Sequence, residues 1–350
     1  MSEQSPTNGV YYPSWRVYKG YPPSSLELEY VNKIYYAFVR LNEDGTLRLL
    51  DEFADCNKAV DGEKGCLAAL AKLKHQKPGL KTLISVGGGS GSKEFAGVTA
   101  NARKRATFAR SCRHFVDMFQ FDGVDIDWEH PTTPETGRNF ISMLSALREE
   151  LPAPKYILTT ALPTGEYCLK HIDAKAAAHL LDQLNLMGYD FNGPWTDVSG
   201  HQAQLLPPPG PREKVYPSLR NSCQNGINFL VSRGFPAHKI ILGIPAYARS
   251  FAGARGPGQP FKGSDEIEYC DLPREWIRDC HVDRHAAAAS YVDRTDGGKG
   301  FVSFDCPETV RIKADYVKNC KLGGLFYWTG VGDLKGSDSL VKAGYEELHR

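Results

Sequence analysis

The sequence has almost no net charge, because 42 Lys and Arg residues stand against 41 Asp and Glu residues, for a formal net charge of +1. Such a chain has no electrostatic attraction toward nucleic acid or an anionic membrane surface, so neither is an expected partner. It also has no run of about 18 apolar residues, which argues against a membrane-spanning helix. A neutral ligand fits this composition better than a charged one.

Paired CxxC spacing is absent too, although the chain has nine cysteines. Cys270, Cys280, His281 and His285 do not have the spacing of a standard zinc site, so no metal is expected. The N-terminus, MSEQSPTNGVYYP, has no basic region followed by an apolar run, as a secretory signal peptide would. We therefore expect mostly free thiols in a cytoplasmic or non-classically secreted protein, or an extracellular one if a leader has been removed.

Short apolar runs of strand type alternate along the chain with stretches of helix type, which predicts repeated βα units. The eight predicted strands are 9–15, 33–39, 81–87, 121–128, 156–162, 183–189, 239–247 and 323–328. The predicted helices are 63–76, 102–120, 134–151, 173–181, 217–233 and 307–319. Eight such strands predict an α/β fold of the (β/α)₈ TIM barrel type, in which functional side chains lie at the carboxyl ends of the strands.

One interval interrupts this alternation, between the seventh and eighth predicted strands. Residues 252–300 are far more than a βα loop needs. They contain strand-like pieces around Ile267 and Tyr291, joined by glycine-rich segments. We therefore predict a small α+β insertion at 252–300, inside a single domain that spans residues 1–350.

The segment FDGVDIDWEHP contains four acids: Asp122, Asp125, Asp127 and Glu129. Along a strand, residues two apart lie about 6.6 Å from each other on one face, so the last three acids would point the same way. Repulsion between like charges and partial burial raise the pKa of at least one such group, which keeps a carboxyl protonated near neutral pH. The segment therefore indicates acid catalysis.

Other interpretations fit these residues less well. A calcium or magnesium site would use clustered carboxylates, but the EF-hand spacing and its turn glycine are absent. A solvated charge run would not alternate with Val124, Ile126 and Trp128, which are typical of a strand buried on its other face. The glycines at 87–91 do not form a phosphate-binding loop, because Ser92 stands where that motif needs glycine.

Residues 122–129 match the DxxDxDxE signature of glycoside hydrolase family 18, the chitinases, and residues 85–88 match its second signature, SxGG. The segments YYPSW, YYAF, MGYD, GIPAYARSF and GGLFYW resemble the ends of this family's strands, in the family's order. The insertion resembles the family's chitinase insertion domain. The resemblance covers nearly the whole chain, and it implies the same barrel.

The resemblance implies hydrolysis of β-1,4 bonds between N-acetylglucosamine units, with the substrate's own acetamido group as the nucleophile. Chitin or its oligosaccharides would then be the ligands of a monomer that needs no cofactor. By the same resemblance, Glu129 is the general acid and later the base. Asp127 hydrogen-bonds the acetamide nitrogen and shares a proton with Asp125, while Tyr189 donates to the acetamide oxygen.

The resemblance further implies a group of sugar-binding residues, namely Tyr11, Phe38, Met187, Asp190, Trp195, Tyr247, Arg249 and Trp328. Trp328 would form the floor under the sugar whose bond is cut, and Arg249 would donate to sugar hydroxyls or to Asp190. Ser85 and Asp122 are expected to be buried partners that orient Asp125. For each aromatic residue, a place in the packed barrel interior is the alternative.

Two positions depart from the family's pattern. Many members carry Trp directly after SxGG, where this chain has Gly89, and the common Tyr after the catalytic Glu is His130. We expect titration of His130 to influence the pH optimum without a catalytic role. Two alternatives stay open: an endo-β-N-acetylglucosaminidase on N-glycans would use the same acids, and a chitin-binding lectin would share the barrel but typically lacks Glu129.

Overall fold

The computed structural model describes residues 5–350, so residues 1–4 of the predicted domain lie outside the described residues. The strands in this range are β1 (Thr7–Pro13), β2 (Lys33–Leu41), β3 (Leu47–Leu49), β4 (Ala59–Val60), β5 (Glu63–Lys64), β6 (Lys81–Gly87), β7 (Gly123–Asp127), β8 (Ile157–Pro163), β9 (Gln183–Met187), β10 (Ile240–Pro245), β11 (Tyr247–Phe251), β12 (Glu266–Glu268), β13 (His281–Asp283), β14 (Ala288–Asp293), β15 (Gly300–Phe304) and β16 (Gly324–Trp328).

The α-helices of the same range are α1 (Gly65–Gln76), α2 (Phe95–Ala100), α3 (Ala102–Met118), α4 (Pro134–Glu150), α5 (Glu166–Leu169), α6 (Ala174–Leu180), α7 (Cys223–Ser232), α8 (Arg274–Arg278), α9 (Pro307–Asn319) and α10 (Leu340–Leu348). Their starts follow local sequence: Thr133 caps α4 and Pro134 occupies its first turn. None of these helices, within residues 5–350, has both the length and the apolar character to cross a membrane.

Eight parallel strands close into a barrel in the order β1, β2, β6, β7, β8, β9, β10, β16, and β16 pairs back with β1. Each of the eight predicted strands overlaps one of these, so the predicted (β/α)₈ barrel is confirmed. Buried aliphatic residues fill the layer between the strands and the surrounding helices. Inside the barrel, the rings of Tyr11 and Tyr35 stack at 4.7 Å between centroids above Leu83, Ile241 and Phe326.

The second sheet is an insertion between the seventh and eighth barrel strands, and its strands lie between Tyr247 and Phe304, which is wider than the predicted 252–300. Its strands are antiparallel, in the order β12, β11, β15, β14, β13, and α8 packs with them. The prediction of one strand over residues 239–247 was wrong, because β10 ends at Pro245 and Tyr247 begins β11 in the other sheet. Ala246 lies at this break, and its amide donates to the carbonyl of Trp328 at 2.7 Å.

Two ion pairs fix the insertion to the barrel. Arg16, after β1, is 3% exposed, and its guanidinium lies 2.5 Å from the carboxylate of Glu268 in β12. Lys313 of α9 and Asp305, just after β15, are buried completely and lie 2.7 Å apart. The Lys313 ammonium also donates to the carbonyl of Ala203, in the long loop that follows β9. These contacts attach the insertion to the barrel beside the carboxyl ends of its strands.

Candidate active site

An open pocket lies at the carboxyl ends of the barrel strands. The predicted site residues in its lining are Tyr11, Phe38, Asp127, Glu129, Met187, Tyr189, Asp190, Tyr247 and Trp328. Gly89, Ala161 and Glu266 complete the lining. The barrel thus brings together residues that are up to 317 positions apart, as Tyr11 and Trp328 are, because parallel strands all end at the same rim.

Asp125 lies below the pocket and is fully buried. Its Oδ2 accepts hydrogen bonds from the hydroxyls of Tyr11 and Ser85, both at 2.7 Å. Its Oδ1 accepts from Thr159 at 2.6 Å and from the amide of Asn185 at 3.3 Å. Burial raises the pKa of Asp125, and these donors oppose the rise. Four donors around one carboxyl group fit an ionised Asp125.

Asp127 is 4% exposed and sits at the end of β7, between Asp125 and the pocket. Burial, then the charge of Glu129, then that of Asp125 raise the pKa of Asp127 well above its ordinary value. Its Oδ1 is buried and has no hydrogen-bond partner among residues 5–350. Since Asp125 has four donors and Asp127 Oδ1 has none, Asp127 is the acid of this pair that is better suited to hold a proton.

Glu129 follows β7 and reaches into the open part of the pocket, where its side chain is 29% exposed. Its backbone amide donates to the hydroxyl of Ser92 at 2.9 Å, which fixes the chain at this turn. Burial, and then the charge of Asp190, raise the pKa of Glu129 to about 7. A carboxyl group with this pKa is still largely protonated at mildly acidic pH and can act as a general acid.

The two glycines of the SxGG segment are required by close packing. Gly87 has φ +117°, and a Cβ there would lie 2.2 Å from the carbonyl oxygen of Asp127. Gly88 has φ +76°, and a Cβ there would lie 2.5 Å from the ring of Phe38. Both values exclude an ordinary side chain. The segment therefore lets the end of β6 approach β7 and the aromatic floor.

The two departures from the family's pattern meet at Glu129. A Cβ added to Gly89 would make ordinary van der Waals contact with the Glu129 carboxylate at 3.7 Å, so a side chain at this position would lie directly against the acid. The Nε2 atom of His130 lies 3.8 Å from Glu129 Oε2, and its ring meets the edge of Tyr167. Burial lowers the pKa of His130 to about 4. The ring is therefore neutral near pH 7, and the influence of His130 on the pH optimum stays a prediction.

Tyr189 follows β9 and points its ring toward the acids. Burial, with the charges of Asp127 and Asp190, raises the pKa of Tyr189, so its hydroxyl keeps its proton and can donate. The ring packs edge-on against Tyr247 at 6.1 Å. Burial likewise raises the pKa of Tyr247, whose hydroxyl has no partner among the described residues. These two phenols are therefore donors that face the pocket.

Arg249 joins the barrel to the insertion on one side of the pocket. Its Nη2 donates to Asp190 Oδ1 at 2.7 Å and lies 3.1 Å from Glu266 Oε2. Its guanidinium also stacks over the ring of Trp195 at 5.0 Å, although Trp195 itself is 56% exposed and outside the lining. Sequence reasoning missed Glu266, since no motif surrounds it and its insertion strand has only three residues.

The floor of the pocket is aromatic. The ring of Trp328 stacks on that of Phe38 at 5.6 Å and is tilted against Tyr11 at 5.5 Å. Tyr11 and Phe38 are buried, whereas Trp328 is partly open to the pocket. Trp328 therefore presents an apolar surface to a ligand, while the other two support it from below.

Asp122 requires a correction. Its carboxylate accepts from the backbone amide of Thr82 at 2.8 Å and pairs with Lys74 at 2.8 Å and Lys81 at 3.4 Å. These contacts lie at the amino end of β7, the opposite end of the barrel from the pocket. The prediction that Asp122 orients Asp125 was wrong, because Asp122 lies just before β7 and its carboxylate contacts Thr82, Lys74 and Lys81 instead. Ser85, in contrast, contacts Asp125 directly.

A (β/α)₈ barrel with clustered carboxyl groups over an aromatic floor has the arrangement of a glycoside hydrolase. The chain matches the family described as Glycosyl hydrolases family 18 over residues 7–333. It therefore belongs to glycosyl hydrolase family 18, which confirms the predicted family.

Named relatives agree over nearly the full chain. Chitinase 1 of Aphanocladium album is 30% identical, and the alignment covers 97% of this chain and 85% of that protein. Endochitinase 1 of Metarhizium robertsii has the same identity and coverage. Among solved structures, the Group IV chitinase of Ostrinia furnacalis superposes with a TM-score of 0.87 at 25% identity, covering 99% of this chain and 100% of that one.

Proposed function

We propose that this chain is a chitinase that hydrolyses β-1,4 linkages between N-acetylglucosamine units of chitin or chitooligosaccharides, with retention at the anomeric carbon. The observation that carries the proposal is the pair formed by Glu129, with a pKa raised to about 7, and the buried Asp127 behind it. The relatives named as chitinases support the same substrate class.

The substrate supplies the nucleophile in this proposal. A usual retaining glycosidase employs a second carboxylate as the nucleophile, but family 18 is an exception in which the 2-acetamido group attacks the anomeric carbon. Asp127 suits this exception, since a buried and protonated carboxyl group is a poor nucleophile. The attack is intramolecular, so the protein's task is to hold the acetamide against the anomeric carbon.

Asp127 and Tyr189 are the groups that hold the acetamide. The unpartnered Oδ1 of Asp127 accepts from the acetamide N–H, and the Tyr189 hydroxyl donates to the acetamide oxygen. As positive charge develops on the oxazolinium ion, it lowers the pKa of Asp127 and draws its proton toward Asp125. The negative charge then lies next to the cation that needs it.

Glu129 transfers the proton that bond cleavage needs. In the first step it protonates the leaving glycosidic oxygen, and the product with a free C4 hydroxyl departs. In the second step its carboxylate removes a proton from the water that opens the oxazolinium ring, which restores the acid. Glu129 therefore donates a proton in the first step and accepts one in the second.

Sugar binding is assigned to the floor and to the wall formed by the insertion. Trp328 lies under the sugar whose bond is cut, since an aromatic face fits the apolar face of a pyranose ring. The pair of Arg249 and Asp190 offers donors and acceptors to sugar hydroxyls, beside the expected binders Met187 and Tyr247. We further propose that residues 1–350 act as one catalytic domain in a monomer, with the insertion at 252–300 as its wall.

The substitution Glu129→Gln tests the catalytic assignment. Gln keeps the shape of the side chain but cannot give up a proton, so kcat on an N-acetylglucosamine hexamer should fall by about two to four orders of magnitude while binding is kept. Asp122→Asn is the matched control, because it changes an acid of the same segment at the other end of the barrel. Near wild-type turnover by the Gln variant, or an equal loss in the control, would contradict the assignment.

A thiazoline analogue of the oxazolinium ion tests the origin of the nucleophile. The analogue carries the fused-ring geometry of the intermediate, so it should compete with the hexamer far better than N-acetylglucosamine itself does. Inhibition is measured from the rate of hexamer cleavage at several analogue concentrations. Absence of inhibition would point to a mechanism with a protein nucleophile instead.

A further inference from the structure

Two cysteines that the proposed reaction does not use lie where the insertion meets α9. Cys306 is 4% exposed and occupies the N-cap position of α9. Cys280 is half-buried in the turn between α8 and β13. Although the two residues are 26 positions apart, both side chains line the same surface pocket, together with Val282, Arg274 and Arg278.

Cys306 takes the place of the usual hydroxyl or carboxylate cap of a helix. Its side chain faces the backbone amide of Thr309 in a capping-box arrangement, and its own amide donates to the Thr309 hydroxyl at 3.0 Å. A thiolate is a better acceptor than a thiol, and the first turn of a 13-residue helix carries partial positive charge. The N-cap position therefore favours the ionised form of Cys306.

Cys280 is the second thiol of this pocket. The neighbouring Cys280 thiol, followed by the amides of Thr309 and Glu308, lowers the pKa of Cys306 to about 7. Cys306 and burial raise the pKa of Cys280, which favours its protonated form. Burial alone raises the pKa of a thiol, as at Cys112. Cys306 and Cys280 are thus thiols of one surface pocket, and Cys306 has the lower pKa of the two.

We propose that Cys306 and Cys280 form a peroxide-sensitive thiol pair. The Cys306 thiolate attacks one oxygen of a peroxide, the O–O bond breaks, and the leaving hydroxide takes a proton to become water. The resulting sulfenic acid is then attacked by the sulfur of Cys280, which loses its proton, and a second water leaves as the S–S bond forms. Two thiols are oxidised and one peroxide is reduced to two waters.

The disulfide would link the turn before β13 to the first turn of α9. In the present structure both thiols are free. After oxidation, the insertion would be joined covalently to the helix that already holds it through Lys313, and Cys306 could no longer cap α9 as a thiolate. Oxidation of this thiol pair involves only the pocket that contains the two cysteines, and not the candidate active site. It is therefore independent of the proposed glycosidase activity.

Mass spectrometry of the full chain tests the thiol pair. The reduced protein is treated with hydrogen peroxide and alkylated, and the peptides are mapped. We expect a disulfide between Cys280 and Cys306, a mass about 2 Da lower, and reversal by dithiothreitol. Cys306 should react at least about tenfold faster than the exposed Cys320. Equal rates at the two positions, or a disulfide that lacks either partner, would overturn the proposal.

Two substitutions separate the roles of the pair. In Cys280→Ser, peroxide should leave Cys306 as a sulfenic acid that dimedone traps, because no second thiol resolves it. In Cys306→Ser, serine keeps the helix cap, so the chain folds and Cys280 should stay unoxidised. Cys320→Ser is the matched control and should form the disulfide at the wild-type rate. Oxidation of Cys280 in the Cys306→Ser chain would show that Cys306 is not the reactive thiol.

Discussion

Single residues in the β7 segment differ because their surroundings differ, although all are acids from one short stretch of sequence. Asp125 has four donors and fits the ionised form, whereas Asp127 has an unpartnered oxygen and an ionised neighbour. Glu129 lies nearer to solvent than either of them, and its pKa is raised to about 7. The position of each acid along the strand thus sets its protonation state, and through that its proposed role.

The pH dependence of kcat/KM should follow Glu129. A general acid must be protonated, so the rate should fall as pH rises through about 7. The charge of Asp190 contributes to the raised pKa of Glu129, so Asp190→Asn should move this alkaline limb to lower pH. Asn suits the position because Asp190 has φ +59°, a conformation that Asn also tolerates.

The control for this experiment is His130→Asn. Because the pKa of His130 is lowered to about 4, the imidazole is neutral on both sides of the alkaline limb, and its removal should leave the midpoint in place. The profiles are measured on a soluble oligosaccharide between about pH 4 and 9. An alkaline limb that moves in the His130 variant, or that stays fixed in the Asp190 variant, would contradict the assignment to Glu129.

Sequence reasoning predicted most of the pocket at the residue level, because the residues that line it lie at strand ends with recognisable patterns. It could not tell that Asp122 lies at the opposite end of the strand from the pocket. The carboxylate of Asp122 contacts Lys74 and Thr82 there. It also missed Asn185 and Thr159 under Asp125, since an inward-facing polar residue has no local signature. The place of Glu266 in the pocket lining could not be predicted, because it depends on how the insertion packs on the barrel.

At the level of secondary-structure elements, the barrel and the presence of an insertion were predictable, but the strand pairing within the insertion was not. Each barrel strand carries a run of apolar residues that is long enough to predict the strand from its own sequence. The pairing of neighbouring strands then follows from the closure of the barrel. The strands of the insertion are short and partly exposed, so their pairing depends on tertiary contacts. Helix α7 begins at Cys223 and not at the predicted residue 217, because Ser222 caps it and a separate 3-10 turn covers 217–220.

The buried pair of Lys313 and Asp305 should be the strongest attachment between α9 and the insertion. Lys313→Met keeps the size of the side chain but leaves the Asp305 carboxylate buried without its cation. We expect the free energy of unfolding to fall by about 3–5 kcal/mol in urea denaturation. The double variant Lys313→Met with Asp305→Leu should lose less, because it removes the unpaired charge as well.

Lys299→Met is the matched control for this pair. Lys299 also forms an ion pair, with Asp265 at 2.7 Å, but both side chains are largely exposed. Its loss should change the free energy of unfolding by at most about 1 kcal/mol. A similar cost for the two lysines would mean that burial does not set the strength of the Lys313 pair.

For the whole molecule, the proposed catalytic acid should lower stability at high pH. The pKa of Glu129 is higher in the folded chain than in the unfolded chain, so folding is not penalised below about pH 4.5, and the penalty grows until about pH 7. Glu129→Gln removes this penalty. The variant should therefore be more stable than the wild type at pH 8, by about 1–2 kcal/mol after allowance for partial exposure, and equally stable at pH 4.

Urea denaturation at the two pH values measures this difference. Glu275→Gln, a change at an exposed position of α8, serves as the control and should have the same effect at both. A stability gain in the Glu129 variant that is equal at pH 4 and pH 8 would point to packing and not to charge. If one substitution both lowers turnover and raises the free energy of unfolding, then Glu129 serves catalysis while it destabilises the folded chain.

Barrel closure has a consequence for synthesis on the ribosome. One edge of β1 pairs with β2, but its other edge pairs with β16, where Thr7 lies opposite Gly324. That second edge therefore stays unpaired until more than 300 further residues have been made. During this time the growing sheet has an open edge that could pair with another nascent chain. The last barrel strand is thus the one whose delay or truncation should most expose the chain to aggregation before it is released.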